Sequence, residues 1–211
     1  MRYRTAITTA ALLALLPLTA CSDDSGGSGD KGAPHTEPGT SAPADPSADT
    51  SKGKGLPLGK AAPTIGAGGT GSLEITPTAV TYTPTASQGM LKPANGRYAV
   101  IAYKARSVTA VAADETAPAD SGGWTWTAPD GQSVTTLDGE ATSVTPAGYT
   151  NSGPVQPGAY QWRSVAFDLT PAQAKGGQLV YTDGEQKTHT WTIPATDSGP
   201  EADKLKKAVL G

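Results

Sequence analysis

The chain has 211 residues and a net charge of −3, only 17% of its residues are charged, and it contains 26 glycines and 18 prolines. This length corresponds to one domain, and the composition favours turns, strands and linkers over packed helices. The basic residues are scattered, which argues against a nucleic-acid-binding surface. One cysteine and two histidines are too few for a typical transition-metal site, so we expect neither a metal nor another cofactor.

The N-terminus has the features of an export signal. Residues 1–4 carry two arginines, and the apolar stretch that follows, residues 5–18, is too short to span a membrane. The sequence LTAC at residues 18–21 resembles a lipobox, at which bacterial lipoproteins are lipidated on the cysteine and cleaved before it. This resemblance implies a signal peptide over residues 1–20 and acyl chains on Cys21 that insert into the membrane. The expected location is the extracellular face of the cell membrane, as in Gram-positive lipoproteins.

A spacer is predicted after the lipidated cysteine. Residues 22–55 contain no Val, Ile, Leu, Met, Phe, Trp or Tyr, so they cannot bury apolar surface to offset the entropy lost on ordering. We assign residues 21–65 to the lipidated cysteine and a disordered tether. Residues 66–71 match the glycine pattern of a dinucleotide-binding loop, but no unbroken strand precedes them and no helix follows, which excludes that function.

Residues 66–195 are predicted to form the folded domain. Apolar and polar residues alternate there in short runs separated by turn residues, which is typical of strands. Pro77 interrupts the first run and indicates a bulge or an edge position. About seven strands without a helical period predict an all-β fold, an antiparallel immunoglobulin-like β-sandwich. The runs lie at residues 73–82, 96–106, 124–127, 133–137, 160–169, 179–181 and 188–193.

The last segment, residues 196–211, is a polar tail. Ser198 and Glu201 have the spacing of a capping box, and lysines lie late in the segment, as in a short helix. A helix of this length is marginal alone, so it either docks on the sandwich or frays.

Residues 155–194 resemble the closing half of a bacterial family of extracellular Ig-like domains of unknown function. Members of this family are secreted or lipid-anchored β-sandwiches, similar in shape to a secreted mycobacterial antigen. The resemblance therefore implies a fold and a location, and it supplies no catalytic residue. The matching positions are Pro157-Gly158, Phe167-Asp168-Leu169, Leu179-Val180-Tyr181, Asp183-Gly184, and Trp191 with Ile193.

The tryptophans are candidates for core packing or for binding. Trp124 and Trp126 lie on one face of a predicted strand, and we favour a core position for both over a platform for sugars or peptides. Trp162 alternates away from the apolar residues of its own strand. This predicts an outer-face position, so Trp162 is a candidate interaction surface.

No catalytic group is recognisable in the sequence. His189 lies in a predicted strand, and a partly buried or edge position is its ordinary interpretation. The acids Asp114, Glu115, Asp138 and Glu140 fall in predicted loops, where solvation is expected, although clustered loop oxygens could hold a weak Ca²⁺ site. We therefore expect a protein that is not an enzyme.

Together these features predict a membrane-anchored extracellular lipoprotein whose Ig-like domain is a non-enzymatic binding or interaction module. Its expected partners are the membrane, through Cys21, and an envelope protein or ligand of unknown identity. The alternative is a carrier of a small ligand or metal, or an enzyme with a site built from loops. A pocket that joins Tyr149 or Tyr160 to Asp138 or Glu140 favours this alternative, and a solid sandwich excludes it.

Overall fold

The computed structural model describes residues 55–150 and 152–211. The predicted signal peptide, the lipidation site at Cys21 and the tether up to residue 54 lie outside the described residues. The described part of the chain is an all-β sandwich of two sheets, with one short α-helix near its C-terminus. No helix in these two ranges is long and apolar enough to cross a bilayer.

Nine strands form the two sheets, and in chain order they are Leu56–Pro57 (β1), Ala62–Ile65 (β2), Ser72–Thr83 (β3), Arg97–Ser107 (β4), Gly123–Thr127 (β5), Ser133–Thr135 (β6), Gln161–Leu169 (β7), Gly177–Thr182 (β8) and Thr188–Ile193 (β9). The first sheet has the order β1-β9-β8-β5-β6, and the second has the order β2-β3-β4-β7. Neighbouring strands are antiparallel except β1 and β9, which are parallel. Strands β3 to β9 correspond to the predicted runs.

The core lies between the sheets and is built from the inward side chains of both. In β4, Ile101 and Tyr103 face this core, whereas Tyr98 and Val100 pack in a second apolar cluster on the outer face of the second sheet. Both faces of β4 are therefore buried, which accounts for its nearly continuous apolar sequence.

The C-terminal helix α1, Ala202–Leu210, covers this second cluster. Its Leu205 and Val209 are buried, so the tail docks on the sandwich rather than fraying. The predicted capping box is wrong. The backbone of Ser198 pairs with Val80 on β3, with N–O distances of 2.9 and 3.0 Å, and Glu201 makes no capping hydrogen bond through its side chain. An extended backbone bridge has taken the place of the cap.

The sandwich begins before residue 66, which corrects the predicted end of the tether. β1 and β2 are edge strands of the first and second sheets, and edge positions tolerate Pro57 and Pro63. Ala62 is buried, and the indole Nε1 of Trp191 donates a hydrogen bond to the carbonyl of Lys60 at 2.7 Å. The prolines suggested a linker, but an edge strand accommodates them because one side of its backbone needs no partner.

Glycine and proline mark two further features of the second sheet. The glycine-rich residues 66–71 close the turn between β2 and β3, where the N–H of Gly66 donates to the carbonyl of Gly71 at 3.0 Å. The predicted bulge at Pro77 is confirmed, because the pairing of β3 with β4 shifts register between Pro77 and Ala79.

Candidate functional site

Trp124 and Trp126 are core residues. Both side chains lie on the inner face of β5 and are buried. The ring of Trp124 packs against Tyr103, Tyr181 and Trp191 with centroids 4.9, 4.8 and 5.9 Å away. The preferred interpretation of these two tryptophans is confirmed, and a surface platform is excluded.

Trp162 lies on the outer face of β7, as the alternation predicts. Its partner across the sheet is Lys104, whose Nζ lies 4.8 Å from the centre of the indole. Lys204 of α1 approaches the same ring at 5.9 Å, and Tyr149 packs edge-on against it. The side chain is half-buried. Its use as an interaction surface stays a prediction.

The loop acids and tyrosines of the alternative hypothesis do not form a common pocket. Asp138 accepts hydrogen bonds from the N–H and hydroxyl of Thr135, and the hydroxyl of Tyr160 donates to Glu74. Tyr149 packs on Trp162 instead. In the part of the chain that the structure describes, no three His, Cys, Asp or Glu side chains cluster as a metal site requires.

The sandwich does contain a cavity, with a volume of about 420 Å³, beside the edge strand β7. We call it the β7 cavity. Its walls come from β7, from the inner-face aromatics Tyr103 and Trp124, and from three loop segments within residues 114–118, 136–144 and 152–153. The first sheet ends at β6 and the second at β7, so the cavity lies where the two sheets part.

A buried ion pair forms one wall of this cavity. Arg163 Nη1 lies 3.7 Å from Glu115 Oε1, and the side chains are 3% and 11% exposed. Glu115 Oε2 accepts hydrogen bonds from the hydroxyl of Tyr103 at 2.7 Å and from Trp124 Nε1 at 3.4 Å. Arg163 Nη2 donates to the carbonyl of Gly153 at 2.5 Å. These contacts connect β4, β5 and β7 to two loops.

Burial controls the electrostatics of this group. It raises the pKa of the Glu115 carboxyl, and the Arg163 guanidinium and the hydrogen bonds from Tyr103 and Trp124 offset part of the rise. Burial and then the charge of Glu115 raise the pKa of the Tyr103 phenol well above its ordinary value. Tyr103 therefore stays protonated at neutral pH. It serves as a hydrogen-bond donor rather than as a base.

The polar groups around the cavity are incompletely paired. Arg163 Nε, Glu115 Oε1 and Thr116 Oγ1 are shielded from solvent and make no hydrogen bond within the described residues. A buried polar atom without a partner costs about 1–3 kcal/mol, and a charged one costs more. A ligand or a water molecule in the cavity that pairs with these atoms would remove this cost.

Two other buried carboxylates serve the fold. Asp168 on β7 is fully buried and accepts hydrogen bonds from three backbone N–H groups. Asp183 accepts one from His189 Nε2 at 2.8 Å and others from the backbone, including Ile65. Burial alone would raise the pKa of Asp183, but these bonds hold it below its ordinary value. His189 is thus a structural residue, but it is buried on an inner strand rather than partly buried or at a sheet edge.

The interpretation of Glu115 as a solvated loop acid is wrong, and Arg163 was missed. Glu115 does lie in a loop, but the loop folds back over the aromatic wall of the core. A signal for Arg163 was present in the sequence. It shares the inner face of β7 with Val165, Phe167 and Leu169, and a charge on an inner face requires a buried partner.

No family model matches the chain, and neither a curated protein nor a solved structure shows significant similarity to it.

Proposed function

We propose that the chain is a membrane-anchored extracellular lipoprotein whose sandwich is a non-enzymatic module that binds a small ligand in the β7 cavity. The observation that carries the proposal is this cavity, with the buried and incompletely paired Glu115 and Arg163 in its wall. Its volume lies within the range of small-molecule sites, roughly 300–1,000 Å³. A buried ion pair is a weak source of stability, so its presence beside a cavity favours a role in binding.

An immunoglobulin-like identity is part of the proposal. In such sandwiches, strands A, B and E belong to one sheet and strands C, F and G to the other. In this chain, β3, β4 and β7 can be matched to strands A, B and E, and β5, β8 and β9 to strands C, F and G. With this assignment, neighbouring strands in each sheet of the chain are also neighbours in the immunoglobulin fold. Most of the motifs that resemble the Ig-like family fall in β7, β8 and β9 or in the turn between the last two.

The anchor is proposed from the sequence alone. The lipobox-like residues 18–21 supply a lipidation site, and residues 22–55 supply a spacer that lacks Val, Ile, Leu, Met, Phe, Trp and Tyr. Two acyl chains hold a protein stably at a bilayer, whereas one binds only reversibly.

Replacing Cys21 by alanine tests the anchor. We expect Cys21→Ala to abolish incorporation of radiolabelled palmitate and to move the protein out of the membrane fraction, because the acylated sulfur is gone. Ser22→Ala, next to it, is the matched control and retains both. Palmitate label on Cys21→Ala would refute the anchor without bearing on the cavity.

A second candidate function is recognition of an envelope protein through the outer face of β7. It is favoured by the half-buried Trp162 between Lys104 and Lys204, an arrangement in which an aromatic ring and two cations are presented together.

Blocking the cavity tests the binding function. Thr142 lines the cavity and is exposed, whereas its neighbour Ser143 is exposed and does not line it. The probes are three separate mixtures, of neutral monosaccharides, of free amino acids and of short peptides. We expect at least one mixture to raise the Tm of the full-length chain in detergent, and we expect Thr142→Trp, but not Ser143→Trp, to lose that shift. A ligand present at about 100 times its Kd stabilises by about 2.7 kcal/mol.

Two results would contradict the binding function. One is a Tm that none of the three mixtures changes. The other is a shift that Thr142→Trp retains in full, because the ligand then binds elsewhere on the molecule.

A further inference from the structure

Strand β7 has one backbone edge that does not pair with another strand of its sheet. β7 is the last strand of the second sheet, so one side of its backbone pairs with β4 and the other faces away from the sheet. Among the residues that the structure describes, only Thr150 forms backbone hydrogen bonds with this outer side. Its N–H donates to the carbonyl of Trp162 at 3.0 Å, and its carbonyl accepts from the N–H of Ser164 at 3.2 Å. Together these bonds form a parallel bridge.

The bridge ends where the cavity begins. The backbone groups of alternate residues in a strand point to the same side, so the C=O of Ser164 and the N–H of Ala166 face the open edge. No hydrogen bond from the rest of the described chain reaches either group. Ser152 and Gly153, the next described residues, form no backbone hydrogen bond with β7, and Arg163 Nη2 donates to the carbonyl of Gly153.

The space beside these two groups is the β7 cavity itself, because Ser164, Ala166 and Ser152 all line it. An edge with free N–H and C=O groups is a template for another strand. Backbone N–H and C=O groups that are shielded from water without a hydrogen-bond partner cost free energy. A ligand that forms hydrogen bonds with them removes this cost. In an immunoglobulin sandwich of constant type, strand D belongs to the sheet that contains E. On the proposed correspondence, no described strand of this chain fills that position.

We propose that the ligand of the β7 cavity is a short peptide in extended conformation, which continues the parallel bridge of Thr150 along β7. One peptide residue donates its N–H to the carbonyl of Ser164, and its own carbonyl accepts from the N–H of Ala166. This inference rests on the proposed binding function and names the class of ligand. Extended peptides bind sheet edges in this way, with main-chain hydrogen bonds for affinity and side-chain pockets for specificity.

The charges around the cavity restrict the peptide further. Asp114 and Glu115 line it, and the one cation there, Arg163, already contacts Glu115 and donates to Gly153 and Gln161. Because the charge of Arg163 is already paired with Glu115, the lining residues that the structure describes offer no second cation for a carboxylate of the peptide. Neutral and basic side chains are therefore favoured over acidic ones.

Amide hydrogen exchange on the full-length chain in detergent tests this inference. The probe is a mixture of random pentapeptides with blocked termini and no acidic residues. We expect it to slow exchange of the Ala166 amide at least tenfold. The same mixture with the central backbone nitrogens methylated has lost the donor for Ser164 and should leave that exchange unchanged. Ala166→Pro removes the matching N–H, which an edge position tolerates, and should also lose binding.

The outcomes separate this inference from the binding function. Equal protection by the methylated peptides would overturn the inference, even if Ala166→Pro failed to fold, since that comparison uses the unaltered chain. A Tm shift from monosaccharides or amino acids but not from peptides, lost in Thr142→Trp, would also overturn it and leave the binding function standing. No response to any of the three mixtures would overturn both.

Discussion

Arg163→Met is expected to destabilise the folded chain by about 3–5 kcal/mol, because it leaves the Glu115 carboxylate buried without its cation. Methionine replaces the unbranched apolar stem of the arginine side chain, so the loss of packing around that stem is small. Urea denaturation at pH 7 measures the difference in the free energy of unfolding. The control is Arg106→Met. Arg106 pairs with Glu74 in a partly exposed position, where removing the pair should cost about 0–1 kcal/mol.

The double variant Glu115→Met/Arg163→Met distinguishes the cost of a lone charge from the value of the pair. With both charges gone, no buried ion lacks a counterion, and we expect a stability well above that of Arg163→Met alone. If the double variant were no more stable than Arg163→Met, replacing both charges by apolar side chains would itself be costly, and the ion pair would be a net source of stability. The pair would then be explained by stability alone, without a role in binding.

Asp168→Ala is expected to cost at least about 3 kcal/mol, since hydrogen bonds to a buried charge contribute about 1.5–3 kcal/mol each. The carboxylate accepts from the backbone N–H groups of Ala94 at 2.7 Å, Asn95 at 2.9 Å and Glu140 at 2.9 Å. These hydrogen bonds hold the loop that contains Ala94 and Asn95, and the loop that contains Glu140, against the end of β7. Chemical denaturation measures the loss, and hydrogen exchange should show the three amides exposed first.

Two comparisons make the Asp168 prediction specific. Asp168→Asn keeps one acceptor oxygen and should fall between the wild type and the alanine variant. Asp130→Ala removes an acid that accepts from the backbone of Gln132 within an exposed turn, and it should cost less than about 1 kcal/mol. If Asp168→Ala were as stable as Asp130→Ala, the prediction would be wrong, because other contacts would then hold the loops.

Much of the fold was predictable because strand signals are local. Side chains alternate with a period of two, so the sequence alone indicates that Trp162 lies on the opposite face of β7 from Val165 and Phe167. The same pattern placed Trp124 and Trp126 in the core. The first two strands were not predicted, because each is very short and contains a proline. A proline is tolerated there only because both strands lie at a sheet edge.

The candidate site was predictable only in part. The sequence placed Glu115 in a loop, which is correct, but a loop acid is solvated or buried according to what the loop covers. Here it folds over Tyr103 and Trp124, which come from different sheets. The cavity likewise depends on where β6 and β7 end their sheets, a matter of strand order that no local pattern encodes.

The sequence by itself determined the β-rich class, the positions of seven of the nine strands and the faces on which their side chains lie, because these depend on the alternation of near neighbours. Only the tertiary structure decided that α1 docks, that the sheets part beside β7, and that Glu115 meets Arg163 across 48 positions of sequence. The physical reason is that burial and pairing are set by contacts between distant segments. Their free energies depend on which surfaces the fold brings together.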